Sequence, residues 1–224
     1  MRVTFAFAAA ALFIAAAATC AAAADELDRF EQQFAKHQAA LSRRWGNGTN
    51  RALAATLSAM EVRDQRIRQQ ALRTQTRPGN KPGAMLRDMR AADARNSALL
   101  RSIVDRYGWP TIALVGLKPS RAAALILNHT QDERLRSRLL PQLFALARAG
   151  RIEQSDVALI DDKSLLHRHQ SQYFGSQFKM VNGRPVLYPV SDPAGLEKRR
   201  AQFYLPPESA YLQLIRSMYA APVH

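Results

Sequence analysis

The chain from residue 51 to residue 71 reads RALAATLSAMEVRDQRIRQQA. Its apolar side chains recur at steps of three or four, the spacing that places them on one face of an α-helix. These side chains are Leu53, Leu57, Met60, Ile67 and Ala71. The same spacing puts Asp64 on the apolar face, with Arg68 one helical turn further on. The stretch therefore predicts a helix that packs in a core and carries a carboxylate into it.

Helical periodicity is also present on both sides of this stretch. The further predicted helices cover residues 27–45, 86–107, 119–150 and 155–165. The first of them ends before the helix breaker Gly46-Asn47-Gly48. Pro119 suits a first helical turn, Ser155 suits an N-cap, and Pro141 favours a break within its helix. The longest predicted loop is 76–83, which holds two prolines and two glycines.

The pattern changes over residues 173–190, which are rich in aromatic and β-branched side chains. This segment contains Asn182-Gly183, the strongest short signal for a hairpin turn. Pro185 and Pro189 have no N–H to donate to a β-ladder, so the second strand is expected at an edge. The segment therefore predicts a β-hairpin.

Two short helices are predicted after the hairpin, over residues 196–204 and 207–219. A chain of 224 residues is long enough to bury a core without disulfides. The sequence therefore predicts a mainly α protein: a single-domain helical bundle over residues 25–224 with one β-hairpin near the C-terminal third.

The first 24 residues have the three parts of a secretory signal peptide: basic Arg2, an apolar run, and small residues that end at Ala24. Cleavage near Ala24 is predicted, which would make the protein periplasmic or secreted. The alternatives are that the run stays as an N-terminal anchor, or that Cys20 is lipidated. Cys20 is the only cysteine, so the cleaved chain would have no disulfide and no thiol nucleophile. No span is predicted in the mature chain.

The chain is strongly basic. It has 32 Lys and Arg against 18 Asp and Glu, a net charge of +14. This charge favours association with anionic polymers, and an anionic component of the cell envelope is a predicted partner. The alternative is that the positive charges lie on solvated helix faces, because no run of five or more like charges marks a binding tail. Nucleic-acid binding is not predicted, since no basic and aromatic surface pattern accompanies the charge.

Three consecutive predicted helices carry polar residues on their apolar faces. The residues are Asp64 with Arg68, then Asp93 with Asn96, then His129. A buried carboxylate without partners costs several kcal/mol or takes up a proton. These side chains are therefore expected to meet in one hydrogen-bonded cluster.

Three interpretations of this cluster remain open. It could line a pocket for a small polar or anionic ligand. Alternatively, it could be the site of a hydrolase, in which His129 activates water and is oriented by Asp64 or Asp93, while Arg68 and Gln177 stabilise negative charge. It could also be the buried polar network of a structural envelope protein. The predicted catalytic residues are His129, Asp64 and Asp93, and the predicted ligand-binding residues are Arg68, Asn96, Gln65, Gln177 and Arg199.

No cofactor and no metal are predicted. Phosphate-binding glycine loops and nucleophile elbows are missing from the sequence. His129, Asp132, Asp64 and Asp93 offer hard oxygen and imidazole ligands. However, no His-Glu-x-x-His pair accompanies them.

Several short motifs follow one another in a distinctive order. They are Asp64-Gln65 with Arg68, Asp93 with Asn96, Tyr107-Gly108-Trp109-Pro110, Gly116, His129, Tyr173, Gly175-Ser176-Gln177, Asp192, Arg199 and Tyr211. In this order they resemble the bacterial domain of unknown function 6624 family, over roughly residues 53–214. The resemblance implies no activity, but its motif residues coincide with the polar positions found from periodicity. The segment after Ile160 differs from the family pattern, so the resemblance assigns no role to Asp161 and Lys163.

Overall fold

The computed structural model describes residues 8–75, 82–182 and 184–219, and within these residues nine α-helices and one two-stranded sheet are present. The helices are α1 (Ala8–Trp45), α2 (Arg51–Gln75), α3 (Pro82–Tyr107), α4 (Ile112–Val115), α5 (Leu117–His129), α6 (Glu133–Arg148), α7 (Gln154–His167), α8 (Leu196–Gln202) and α9 (Glu208–Tyr219). The strands are β1 (Phe178–Val181) and β2 (Arg184–Leu187). The predicted fold class, mainly α with one hairpin in the C-terminal part, is confirmed.

Helix α5 lies at the centre of the bundle, where it packs against α2, α3 and α7, while α6 packs against α7. The side chains at these contacts are apolar and fully or almost fully buried. They include Leu57, Met60, Leu100, Ile126, Leu127, Leu143 and Ile160. The periodicity of residues 51–71 therefore describes a real buried face, with α2 on one side of α5 and α7 on the other.

A glycine pair brings the start of α2 against the start of α5. Gly48 and Gly116 both have positive φ, +85° in each case. A Cβ on Gly48 would overlap the backbone of Val115, so only glycine fits there. The Asn50 side chain then caps α2 by accepting the N–H of Leu53 at 3.0 Å. The predicted breaker thus ends α1 and also sets where α2 begins beside α5.

The prediction of one helix over residues 119–150 is wrong, because the structure has two helices here, separated at Thr130-Gln131-Asp132. The Asp132 carboxylate accepts the N–H of Leu135 at 2.9 Å, and the Thr130 hydroxyl accepts the N–H of Asp132 at 3.0 Å. These side-chain hydrogen bonds take the place of helical backbone hydrogen bonds, so α5 ends here and α6 begins as a separate helix. Pro141, where a break was expected, lies inside α6 on its exposed side.

Two other helix starts differ from the sequence prediction. The N-cap of α7 is Glu153, whose carboxylate accepts the N–H of Gln154 at 3.0 Å, whereas Ser155 lies inside the helix. Helix α3 begins at Pro82, within the predicted loop 76–83, and residues 76–81 lie outside the described residues. The short helix α4 was not predicted.

The hairpin has the predicted position. Strands β1 and β2 pair antiparallel, with Phe178 opposite Leu187 and Val181 opposite Arg184. Pro185 is tolerated because a strand of a two-stranded sheet has a free edge. Gly183, in the predicted turn, lies outside the described residues.

Residues 1–7 of the predicted signal peptide also lie outside the described residues. Within the part of the chain that is described, no helix combines the length and the apolar character needed to cross a bilayer.

Candidate functional site

The structure brings Asp64, Arg68 and His129 together between α2 and α5. Asp64 is only 2% exposed, and its Oδ2 lies 2.7 Å from Nδ1 of His129. Arg68 donates to the same carboxylate from Nε, at 3.1 Å, and from Nη2, at 3.3 Å. An ionised carboxylate can only accept, so Nδ1 of His129 is the donor. The carboxylate thereby selects the imidazole tautomer and holds the ring.

Asp93 on α3 joins this group through Arg68. Its Oδ1 lies 2.5 Å from Nη2 of Arg68, and the Gln131 side chain donates to the same carboxylate. Arg68 therefore bridges two carboxylates that come from two different helices. We call Asp64, Arg68, Asp93 and His129 the polar cluster.

The pKa values of the two carboxylates of the polar cluster are shifted in opposite directions. Burial alone would raise the pKa of Asp64, but hydrogen bonds from His129 and Arg68 outweigh burial and lower it below its ordinary value. Burial raises the pKa of Asp93 despite the attraction of Arg68 and His129. Asp64 is therefore the carboxylate that keeps its charge most firmly, and Asp93 is the one more ready to take up a proton.

Two nitrogen atoms of the polar cluster lack a hydrogen-bond partner among the described residues. They are Nε2 of His129 and Nη1 of Arg68. The side chain of His129 is 17% exposed and that of Arg68 is 23% exposed, so both reach solvent. The polar cluster thus presents an imidazole nitrogen and a guanidinium N–H, both held from behind by buried carboxylates.

Of the other predicted site residues near the cluster, Gln65 bonds to it and Asn96 does not. Gln65 donates from Nε2 to Oδ2 of Asp64 at 3.2 Å. Asn96 is half-buried, and within the described residues nothing hydrogen-bonds to its side chain. Its neighbour Ser97 is buried instead, where its hydroxyl donates to the Asp93 carbonyl at 2.7 Å and bonds the Thr130 hydroxyl. Ser97 and Thr130 therefore connect the cluster to the break between α5 and α6.

Lys163 on α7 is a largely buried cation near this site that sequence reasoning did not place there. Burial, together with the charges of Arg136 and Arg68, lowers the pKa of Lys163 to about 8 against the attraction of Asp93 and Asp64. Lys163 therefore lies within electrostatic range of the polar cluster, and among the described residues no hydrogen bond joins the two. The signal was available in the sequence, since Lys163 follows the buried Ile160 by three residues.

Replacing Lys163 with methionine is expected to stabilise the protein at neutral pH. An ammonium whose pKa falls from 10.5 to about 8 on folding destabilises the folded state at every pH below 8. The expected gain is about 1–2 kcal/mol, or roughly 2–8 °C in melting temperature. In the wild type the same penalty disappears as the pH rises from 8 to 10.5. A Lys163→Met melting temperature below that of the wild type at pH 7 would contradict this account.

Gln177 and Arg199 lie in a different network, built around buried Asp162. Its carboxylate accepts three backbone N–H groups: those of Tyr173 at 2.6 Å, Phe174 at 2.8 Å and Ser176 at 2.8 Å. We call residues 172–177 the Asp162 loop. Successive backbone N–H groups that converge on one anion form a nest, and here the anion is the protein's own carboxylate.

Side chains from α8 and α9 hold the carbonyl groups of the Asp162 loop. Arg199 donates to the Tyr173 carbonyl at 2.9 Å, and Arg200 donates to the carbonyls of Phe174 and Gly175 at 2.8 and 2.9 Å. The Tyr211 hydroxyl donates to the Ser176 carbonyl at 2.5 Å. The remaining Arg199 donors bond Ser191 and Asp192, and Gln177 Nε2 donates to the Ser176 hydroxyl. The C-terminal motif residues therefore build a loop rather than extend the polar cluster.

In the described part of the chain, no three His, Cys, Asp or Glu side chains form a group that could hold a metal ion. Asp132, offered by the sequence as an oxygen ligand, caps α6 and pairs with Arg101.

Comparison with known proteins adds one match. The model of a family described as "Family of unknown function (DUF6624)" matches residues 51–224, from the first residue of α2 onward. The match includes the whole polar cluster and the Asp162 loop. No curated protein and no solved structure matches the chain.

Proposed function

The chain belongs to the family of unknown function DUF6624, and we propose that it binds a small polar or anionic ligand at the polar cluster. The observation that carries this proposal is that buried Asp64 anchors both the imidazole of His129 and the guanidinium of Arg68, while both side chains reach solvent. Nη1 of Arg68 has no partner among the described residues, and the positive charge of Lys163 lies within electrostatic range of the cluster. Arg68 supplies a cation, and His129 supplies a second donor when its imidazole is protonated, so the polar cluster suits an acidic group.

A cavity beside the cluster supports the proposal. It has a volume of about 400 Å³ and lies between α3 and the turn before α6. Its lining includes Ser97 and Gln131, which contact Asp93 and Thr130, together with Arg90 and Arg101. Asp132 also lines the cavity and pairs with Arg101, so Arg90 supplies its uncompensated positive charge among the lining residues. The signal-peptide pattern of residues 1–24 supports placing this binding outside the cytoplasm.

The test is a melting-temperature titration with inorganic phosphate, sulfate, acetate and succinate at constant ionic strength. A ligand at a hundredfold excess over its Kd stabilises the folded state by about 2.7 kcal/mol, or roughly 5–10 °C for a protein of this size. His129→Gln is expected to abolish the rise. His167→Gln, at an exposed histidine at the end of α7, is the matched control and should keep it. An equal rise for every anion that survives in His129→Gln would overturn the proposal.

A second function, hydrolysis by activated water, is favoured by one distance. The 2.7 Å bond between Asp64 and His129 is that of a general base and its orienting carboxylate. Nε2 would then take a proton from water. The same His129→Gln protein tests this role with p-nitrophenyl acetate and p-nitrophenyl phosphate as substrates. A hydrolysis rate above background that is equal in wild type and variant would contradict it.

A further inference from the structure

The outer face of the β-hairpin carries apolar side chains where a solvated strand face normally carries polar ones. Cross-strand partners share a face, so the pairs Lys179–Val186 and Val181–Arg184 lie on the same side of the hairpin. All four side chains are exposed, Val181 to 41% and Val186 to 44%. The opposite side includes buried Pro185, and strand β2 packs there against α9. The two valines therefore point away from the protein.

Tyr188 extends this outer face by one position. It lies two residues after Val186, and its N–H donates to the Gln177 carbonyl at 3.2 Å, which continues the pairing of the two strands. The ammonium of Lys179 lies 5.7 Å from the centre of the Tyr188 ring. The outer face thus combines apolar side chains, an aromatic ring and two cations. We call it the hairpin face, and it consists of Lys179, Val181, Arg184, Val186 and Tyr188.

The hairpin face lies in a stretch of the chain that has no acidic residue. Residues 163–191 contain neither Asp nor Glu, and their cations are Lys163, Arg168, Lys179 and Arg184. Asp162, just before the stretch, is fully buried, and Asp192, just after it, pairs with Arg199 at 2.6 Å. Among the described residues, neither Lys179 nor Arg184 forms an ion pair. The positive charge of the hairpin face is therefore available to a partner.

A cavity of about 390 Å³ opens beside Tyr188. Its lining includes no carboxylate, and each of its polar side chains can donate a hydrogen bond. These side chains are His169, Gln170, Ser171 and Tyr188. Space and hydrogen-bond donors for an anionic head group therefore lie next to the hairpin face.

From these observations we propose that the hairpin face docks on an anionic lipid surface. Val181 and Val186 enter the boundary between head groups and acyl chains, while lipid phosphates attract Lys179 and Arg184. Tyr188 suits the level of the head groups, where tyrosine is enriched. A polyanion in water would use the two cations but leave both valines solvated, so the exposed apolar side chains favour lipid. This docking is independent of the ligand proposed for the polar cluster.

The test places a tryptophan on the hairpin face and detects its contact with acyl chains. Val181→Trp is compared with Val62→Trp, at a valine of α2 that is 56% exposed. The vesicles are equimolar phosphatidylcholine and phosphatidylglycerol with brominated acyl chains, which quench indole fluorescence on contact. Quenching is expected for Val181→Trp and not for Val62→Trp, and it should weaken in vesicles of phosphatidylcholine alone. The native tryptophans and residues 1–24 are common to both variants, so they cannot produce the difference.

Vesicle flotation with the same lipids, without bromine, measures the contribution of the cations. Lys179→Gln combined with Arg184→Gln should weaken binding about tenfold, since each cation near an anionic surface contributes. The control combines Arg95→Gln with Arg134→Gln, at two exposed residues of α3 and α6, and removes the same charge elsewhere. It should weaken binding by about twofold at most. Because all four residues are exposed, the melting temperatures should stay close to that of the wild type.

Three outcomes would overturn the proposal. Equal quenching of Val181→Trp and Val62→Trp would show that the hairpin face does not meet acyl chains. Flotation that is unchanged when Val181→Ser is combined with Val186→Ser would show that the association is electrostatic alone. A wild-type dimer that this double serine variant abolishes, measured by sedimentation without lipid, would assign the hairpin face to a second copy of the chain.

Discussion

Replacing Asp162 with alanine is expected to lower the melting temperature by roughly 10 °C. The carboxylate accepts three backbone N–H groups of the Asp162 loop and is fully buried. Without it these donors lose a charged acceptor, at about 1–3 kcal/mol for each group left unsatisfied. A total of about 4 kcal/mol, at about 2–4 °C per kcal/mol for a protein of this size, gives the expected fall.

The neighbouring carboxylate on α7 is the matched control. Burial and the charge of Asp162 together raise the pKa of Asp161 to about 6, against the attraction of Arg168. Asp161→Asn removes a charge that the folded state disfavours, so its melting temperature should equal or exceed that of the wild type. Amide hydrogen exchange locates the effect, because exchange at Tyr173, Phe174 and Ser176 should accelerate in Asp162→Ala before the rest of the protein opens. If Asp162→Ala melts level with Asp161→Asn, then the carboxylate does not hold the loop.

Removing the guanidinium of Arg68 is expected to have a comparably large effect that depends on pH. Arg68→Met removes the cation that bridges the buried carboxylates of Asp64 and Asp93, and breaking a buried ion pair in this way costs about 3–5 kcal/mol. Part of the lost stability should be recovered when the pH is lowered. In the variant the pKa of Asp93 rises further, so the folded state binds a proton more readily than the unfolded state. The stability of Arg68→Met should therefore increase as the pH falls from 7 towards 5.

Urea unfolding at several pH values measures this dependence. The control is Arg101→Met, which removes an arginine whose ion pair with Asp132 is half-exposed and is worth about 1 kcal/mol or less. The double variant with Arg68→Met and Asp93→Asn should recover stability at pH 7, since one uncompensated charge is gone. A pH profile of Arg68→Met that runs parallel to that of the wild type would show that Asp93 does not depend on Arg68.

Periodicity in the sequence predicts both the long helices and the centre of the site. Asp64, Asp93 and His129 lie on apolar faces, and a carboxylate on such a face must find partners inside the protein. It finds them here in Arg68 and His129. The break at residues 130–132 was missed because capping by Thr130 and Asp132 leaves no glycine or proline signal, whereas Pro141 gives a strong signal without breaking its helix.

The finer placements depend on contacts that a one-dimensional pattern does not contain. Asn96 and Ser97 are adjacent on α3, and periodicity with a tolerance of one residue does not distinguish which of them turns inward. The structure buries Ser97. Gln177 and Arg199 bind loop backbone, and the carbonyl groups that occupy Arg199 come from segments that only the folded chain brings near. In the sequence, polar side chains that hydrogen-bond to the backbone of a loop therefore look the same as side chains that bind ligands.

The close backbone contact between Gly48 and Gly116 also affects the position of residues further along α2. It sets the angle at which α2 leaves α5, and Asp64 lies sixteen residues beyond Gly48, about 20 Å along the helix. Over this length, a tilt of a few degrees moves the Asp64 carboxylate by about 1 Å, enough to disturb its hydrogen bonds to His129 and Arg68. Random mutagenesis selected for loss of function should therefore recover substitutions at two residues that have no side chain and touch no ligand.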